Sequence, residues 1–185
     1  MQPHQDSVPI PPLFQSTYHE GPFCNCSQCE VDFTANSAPY IIAKHIVVRE
    51  PVFEVALCLP CGAAMQSQET QQRISAFVQE KLQGKQREEP ESWTWEDSIR
   101  CCLICDKPRE QCHRYQLGAL CMQLNMLVTA TPHPTPYMIC DDCAEQLQEL
   151  LSQQTRDNWN RFMERFCDGP PGIELDSPRF DPVLV

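Results

Sequence analysis

Two cysteine quartets carry the chemistry that this sequence offers. The first is Cys26, Cys29, Cys58 and Cys61; the second is Cys102, Cys105, Cys140 and Cys143. Each is a Cys-x-x-Cys, a spacer of about thirty residues and a second Cys-x-x-Cys that leads into a helix-like stretch, the spacing of a tetrahedral zinc site. Four thiolates close the coordination sphere, so the expected role is structural, with two Zn2+ ions per chain. A disulfide scaffold is the competing use of cysteine. The chain holds 13, an odd number, and opens Met1-Gln2-Pro3-His4-Gln5-Asp6 without the basic start and apolar run of a secretion signal. Metal in a reducing compartment is therefore expected: the cytoplasm, or the nucleus in a eukaryote.

The elements that must position these ligands are short. Residues 40–48 and 52–57 are rich in β-branched and aromatic side chains and read as a hairpin that delivers Cys58. Beyond Cys61 the pattern turns helical to about residue 82, with Ser67 or Thr70 as a cap. The second half repeats the plan: Cys102-Leu103-Ile104-Cys105, strand-like material over 115–130, a proline-rich connection, Cys140-Asp141-Asp142-Cys143, and a helix with Leu147, Leu150, Leu151, Trp159, Phe162, Met163 and Phe166 on one stripe. Asp141 and Asp142 suit the start of that helix, where its dipole favours negative charge.

Knuckle, hairpin, knuckle, helix resembles a treble-clef zinc finger, a broad structural class. The expected fold class is a small, metal-stabilised α+β protein of two tandem treble-clef-like modules. A second signature marks them as duplicates. Ser67-Gln68-Glu69-Thr70 answers Ser152-Gln153-Gln154-Thr155, and the same register aligns Ile74 with Trp159, Phe77 with Phe162 and Val78 with Met163. The expected organisation is a flexible proline-rich arm (1–22), a first module (23–83), a linker (84–98), a second module (99–167) and a proline-rich tail (168–185). Trp93 and Trp95, spaced for one face of an extended segment, are expected to pack between the halves.

The formal charge is −11; eight thiolates contribute −8 and two dications +4, so the loaded protein reaches −15. Nucleic acid is bound through phosphate neutralisation, which this balance disfavours. Lys44, Arg49, Arg73, Lys81, Lys85 and Arg87 are the candidates for a local basic patch in a nucleic-acid-binding or transcription-regulatory alternative. No run approaches the roughly 20 apolar residues of a membrane span. Phosphate loops, nucleophile elbows and metalloprotease helices are absent. The expectation is a non-enzymatic protein-interaction or adaptor module with a protein partner, and homo-oligomers are compatible with it.

Five cysteines lie outside the quartets: Cys24, Cys101, Cys112, Cys121 and Cys167. Cys24, Cys101 and Cys112 are candidate substitute ligands, and Cys101, Cys102 and Cys112 underlie a thiol-redox or metal-sensor alternative. Cys121 reads as a buried inert thiol. His45 reads as a surface or interface residue.

Overall fold

The computed structural model describes residues 6–83, 85, 94–129 and 134–166. They form a small α+β structure with one six-stranded antiparallel sheet and five α-helices. β1 (Asp6–Pro9) precedes β2 (Tyr40–Val47) and β3 (Glu50–Cys58), which are followed by α1 (Leu59–Met65) and α2 (Gln68–Leu82). After α3 (Trp95–Ser98) come β4 (Arg114–Met122), β5 (Asn125–Val128) and β6 (Tyr137–Cys140), then α4 (Asp141–Glu149) and α5 (Gln153–Phe166). The order across the sheet is β1-β5-β4-β2-β3, and β6 lies beside β5 on the same edge of β4.

The repeat written in the sequence is visible in the strand register. Tyr40 pairs with Cys58, and Tyr115 pairs with Cys140, so Tyr40 and Tyr115 are equivalent positions 75 residues apart. Ala43 and Gly118 have the same separation, and they lie directly opposite each other where β2 pairs with β4. A pseudo-two-fold axis therefore passes between them, and the two repeats form one continuous sheet by pairing their equivalent strands.

The same axis runs through the helix caps. Ser67 caps α2, its Oγ accepting from Thr70 N–H at 3.2 Å, and Ser152 Oγ accepts from Thr155 N–H at 3.2 Å. The caps then cross over. Ser67 N–H donates to Thr155 Oγ1 and Ser152 N–H to Thr70 Oγ1, each at 2.9 Å, while the two serine hydroxyls stand 2.7 Å apart and the two threonine hydroxyls 2.8 Å. Thr70, Ser152 and Thr155 are buried, so each hydroxyl answers a polar group that would otherwise lack water. The Ser-x-x-Thr motifs that betray the duplication are also a contact between its copies, beside the β2–β4 pairing.

Four expectations are corrected. The arm over 1–22 is docked from residue 6 onward: β1 pairs with β5, Ile10 and Phe14 are buried, and Phe14 meets Trp95 edge to face at 6.2 Å. Proline-rich composition understated it because its strand partner lies some 120 residues away in sequence. Trp95 begins a helix rather than an extended segment, with Thr94 and Asp97 forming its capping box; Trp93 lies outside the described residues. His45 is buried at the centre of the sheet, opposite Phe53 and Gln116. Burial holds its imidazole down at about 4; Asp141 opposes that shift and Arg114 reinforces it. Lys44 is buried too, 3.1 Å from Glu54, with side-chain exposures of 3% and 2%. Its Nζ also donates to the Gln15 carbonyl at 2.6 Å, and Glu54 accepts from Ser16 Oγ at 2.6 Å and Thr17 N–H at 2.9 Å. This ion pair clamps the arm onto β2 and β3. The tail over 168–185 lies outside the described residues.

Candidate metal centres

The first quartet is assembled from a turn, a strand end and a helix start. Cys26 N–H donates to Val31 O at 2.9 Å, and Glu30 N–H closes the turn onto Cys26 O at 2.9 Å with Glu30 at φ 62°. Ser27 N–H reaches Ala56 O on β3 at 2.8 Å, which holds the turn against the strand that ends in Cys58. Cys58 N–H points at Cys26 Sγ from 3.4 Å, and Cys61 lies in the first turn of α1. The second quartet repeats each bond. Cys102 N–H donates to Lys107 O at 2.8 Å, and Asp106 N–H to Cys102 O at 3.0 Å with Asp106 at φ 61°. Leu103 N–H reaches Met138 O at 2.8 Å, Cys140 N–H points at Cys102 Sγ from 3.4 Å, and Cys143 opens α4. A left-handed residue that is not glycine costs about 1 kcal/mol. Both turns carry that cost, because the bend brings two sulfurs to one point.

All four sulfurs of each quartet lie within 4.8 Å of one another. Cys29 and Cys58 stand 3.7 Å apart, and Cys105 and Cys140 stand 3.5 Å apart. A tetrahedron built on metal–sulfur bonds of about 2.3 Å has edges of about 3.8 Å, so each donor set fits one metal ion. The electrostatics of the thiols agree. Burial, joined by the crowding of neighbouring sulfurs, pushes Cys61 and Cys143 well above the ordinary thiol value. Cys26 is held below it although burial opposes this, because N–H groups of Cys29, Cys58 and Gln28 point at it. The protein itself stabilises only part of the charge; a cation is what allows four thiolates to share the space.

Each centre has cationic neighbours of its own. Lys85 donates to Ile104 O and Asp106 Oδ2, each at 2.6 Å, and Lys107 meets Asp142 at 2.9 Å beside the second centre. Arg161 and Arg165 of α5 flank the first.

None of the described extra cysteines joins a quartet. Cys24 is exposed with its Sγ 3.5 Å from Pro22 O. Cys101 bridges to Pro108, and Cys112 Sγ contacts Pro108 O at 3.4 Å. Burial raises the Cys112 thiol despite Lys107 nearby, the opposite of an activated nucleophile. Cys121 is fully buried in β4 and pushed up to about 12, as its strand setting implies. Cys167 lies outside the described residues. Of the basic candidates, Lys44 is buried against Glu54, Arg73 pairs with Glu69 at 2.6 Å and Lys85 with Asp106, while Lys81 stands 4.0 Å from Glu80. Arg87 lies outside the described residues. Lys44 shares its strand face with the buried Tyr40, Ile42 and Ile46 at period two. Among the described residues no helix is long and apolar enough to cross a membrane.

No family model, no curated protein and no solved structure matches the chain.

Proposed function

We propose that this chain is a non-enzymatic protein-interaction module built on two treble-clef-like repeats, each closed by a structural zinc ion. The observation that carries this reading is the convergence of eight of the described cysteines, and only those eight, into two complete four-sulfur cradles. Soft tetrahedral sulfur sets select zinc or iron, and sulfurs this close together suit one ion rather than a multi-iron cluster. A zinc ion held by four thiolates has no open position for water or substrate, so its energy goes into holding the fold.

The interaction role is supported by the edge of β3. Tyr18 and Val52 are 70% and 56% exposed, and both border a groove between the docked arm and that strand. Exposed aromatic and aliphatic side chains beside an edge strand, outside the stretch where Ser27 bonds Ala56, suit a protein partner.

Native mass spectrometry of the intact protein, followed by elemental analysis, tests the reading. Two zinc ions per chain are expected. A fully folded metal-free protein, or a chain holding one ion or a multinuclear iron cluster, would overturn the two-zinc architecture. The partner arm is tested separately, by cross-linking in cells with Tyr18→Ala and Val52→Ser: protein adducts that both substitutions leave unchanged would remove the edge of β3 from the proposal.

A further inference from the structure

The two centres occupy equivalent places in a duplicated fold, yet what faces them has diverged. Beside the first, α1 and α5 border a groove of about 450 Å³. The buried Met65 and Phe162 give it an apolar floor, and the exposed Pro60, Ala64, Arg161 and Arg165 also line it, the two arginines one helical turn apart. Asn158 fastens the walls together, its Nδ2 donating to the carbonyls of Ala64 at 3.1 Å and Met65 at 3.4 Å. Arg161 is oriented by its own helix, through Asp157 O at 3.2 Å and Asn158 Oδ1 at 3.0 Å. Arg165 makes no ion pair with any described residue. Aligning the Ser-x-x-Thr motifs puts Ala76 and Glu80 where α5 has Arg161 and Arg165. The cation pair therefore belongs to one repeat only.

We propose that this groove is the docking site of the chain's own C-terminal segment, with Ile173-Glu174-Leu175-Asp176 as its anchor. Helix α5 ends at Phe166, next to Arg165, and the sequence continues to Val185. Asp168-Gly169-Pro170-Pro171-Gly172 has the composition of a chain reversal. The four residues after it alternate aliphatic and acidic. In extended form they turn Ile173 and Leu175 to one side and Glu174 and Asp176 to the other, which matches an apolar floor under a guanidinium rim. The lengths agree: four extended residues span about 13 Å, and residues 158–165 of a helix rise about 10 Å. The charges agree as well. Residues 168–185 hold Asp168, Glu174, Asp176 and Asp181 against a single Arg179, an acidic balance that complements the Arg161 and Arg165 guanidinium groups. Docked there, the segment would lie over Cys29, an exposed residue of the groove's lining. The inference rests on the groove and on the tail's sequence, and it holds whichever metal fills the quartet.

Photo-cross-linking in the full-length protein as isolated tests it, with Leu175→p-benzoylphenylalanine as the probe. Intrachain adducts mapped to residues 60–65 or 158–165 are expected. Arg161→Glu with Arg165→Glu should cut their yield about tenfold, and adding Glu174→Arg with Asp176→Arg should restore it. Metal content and circular dichroism of each variant separate loss of docking from loss of fold, and separate this inference from the zinc reading. Adducts elsewhere in the chain, adducts between two chains, or a yield indifferent to charge reversal would each overturn the proposal.

Discussion

The two repeats agree where ligation dictates geometry and disagree where they meet the rest of the molecule. Every backbone bond that shapes the first Cys-x-x-Cys turn has its counterpart in the second, down to the left-handed residue that closes it. Along the paired strands the matched positions are less alike: Ala43 with Gly118, Lys44 with Ala119, His45 with Leu120. The first repeat uses its changes to hold the arm, through the Lys44–Glu54 pair. The second receives that arm on an added strand, β5. Four sulfurs around one ion admit a single local geometry, whereas a sheet face admits many packings of equal quality. Duplication thus left two rigid corners and a freely edited interior.

The largest effect tests whether the corners depend on each other. A structural zinc contributes on the order of 10 kcal/mol to folding, comparable with the whole stability of a domain. Cys58→Ser and Cys140→Ser each remove one thiolate, and since one core and one sheet join the repeats, either change is expected to unfold both. Hydrogen exchange on the zinc-supplemented variants reads this out. Native protection of α4 and α5 in Cys58→Ser would instead mean that the repeats fold separately.

The next effect isolates the clamp that only the first repeat has. Lys44→Met leaves Glu54 buried without its cation and should cost about 3–5 kcal/mol. Lys44→Met with Glu54→Leu should recover most of that in denaturant titrations, with β1 and residues 10–18 losing protection in the single variant. Burial alone would raise the Glu54 carboxyl, but Ser16, Thr17 and then Lys44 outweigh it and hold the group below its ordinary value. Its stabilisation is therefore complete above the unfolded value of about 4.3 and drains away as pH falls through the lower folded one. A double variant no better than the single would show that the clamp's hydrogen bonds, and not its charge balance, hold the arm.

These residues also mark how far the sequence could be read. The quartets, the first hairpin and the Ser67 cap follow from spacing and local preference, and they lie where spacing puts them; the single helix expected to carry Leu147 through Phe166 is instead two, α4 and α5, parted at residues 150–152, where Ser152 caps the second. What stayed hidden depends on partners far along the chain. Ile10 and Phe14 are too sparse to announce a core, and only β5 makes Asp6–Pro9 a strand. Ser67 and Ser152 look like two separate caps until the pseudo-dyad joins them. Lys44 and His45 read as exposed because a charged or imidazole side chain in a strand is ordinarily exposed, and their burial rests on Glu54 and on the packing around β2.

His45 gives the third test, because its equivalent is Leu120. A folded value near 4 against an ordinary 6.5 means the buried ring stays neutral. Its folded pKa is depressed, so its contribution is complete above pH 6.5 and lost as pH falls toward 4, about 3 kcal/mol across that window. The two metal centres are common to wild type and to His45→Leu, so their own acid sensitivity cancels in the difference between stability-versus-pH curves. His45→Leu should flatten the curve between pH 6.5 and 4; parallel curves would place the imidazole in water. A smaller effect lies on the axis itself. A Cβ at Gly118 would run into the Tyr137 ring, so Gly118→Ala should cost about 1–3 kcal/mol by overpacking. The first repeat places Ala43 opposite the smaller Val55, and Gly118→Ala with Tyr137→Val should cost less than the sum of its parts.

The smallest effect separates two equivalent hairpin turns. Val48 and Arg49 join β2 to β3 at φ 48° and 72°; Gln123 and Leu124 join β4 to β5 at φ 49° and 61°. Both are two-residue loops with two left-handed positions, the geometry that favours Asn-Gly. Left-handed backbone is worst for a β-branched side chain, whose Cβ substituents crowd the carbonyl, so Val48 carries the greater strain. It is 61% exposed and its N–H donates to His113 O at 3.0 Å, a bond that any residue except proline can make. Val48→Asn should therefore stabilise the protein by about 1 kcal/mol, and Gln123→Asn by a few tenths, both read as shifts in denaturant midpoint at constant slope. Equal gains at the two turns would mean that the branch at Val48 is relieved elsewhere, through contacts that offset its backbone cost.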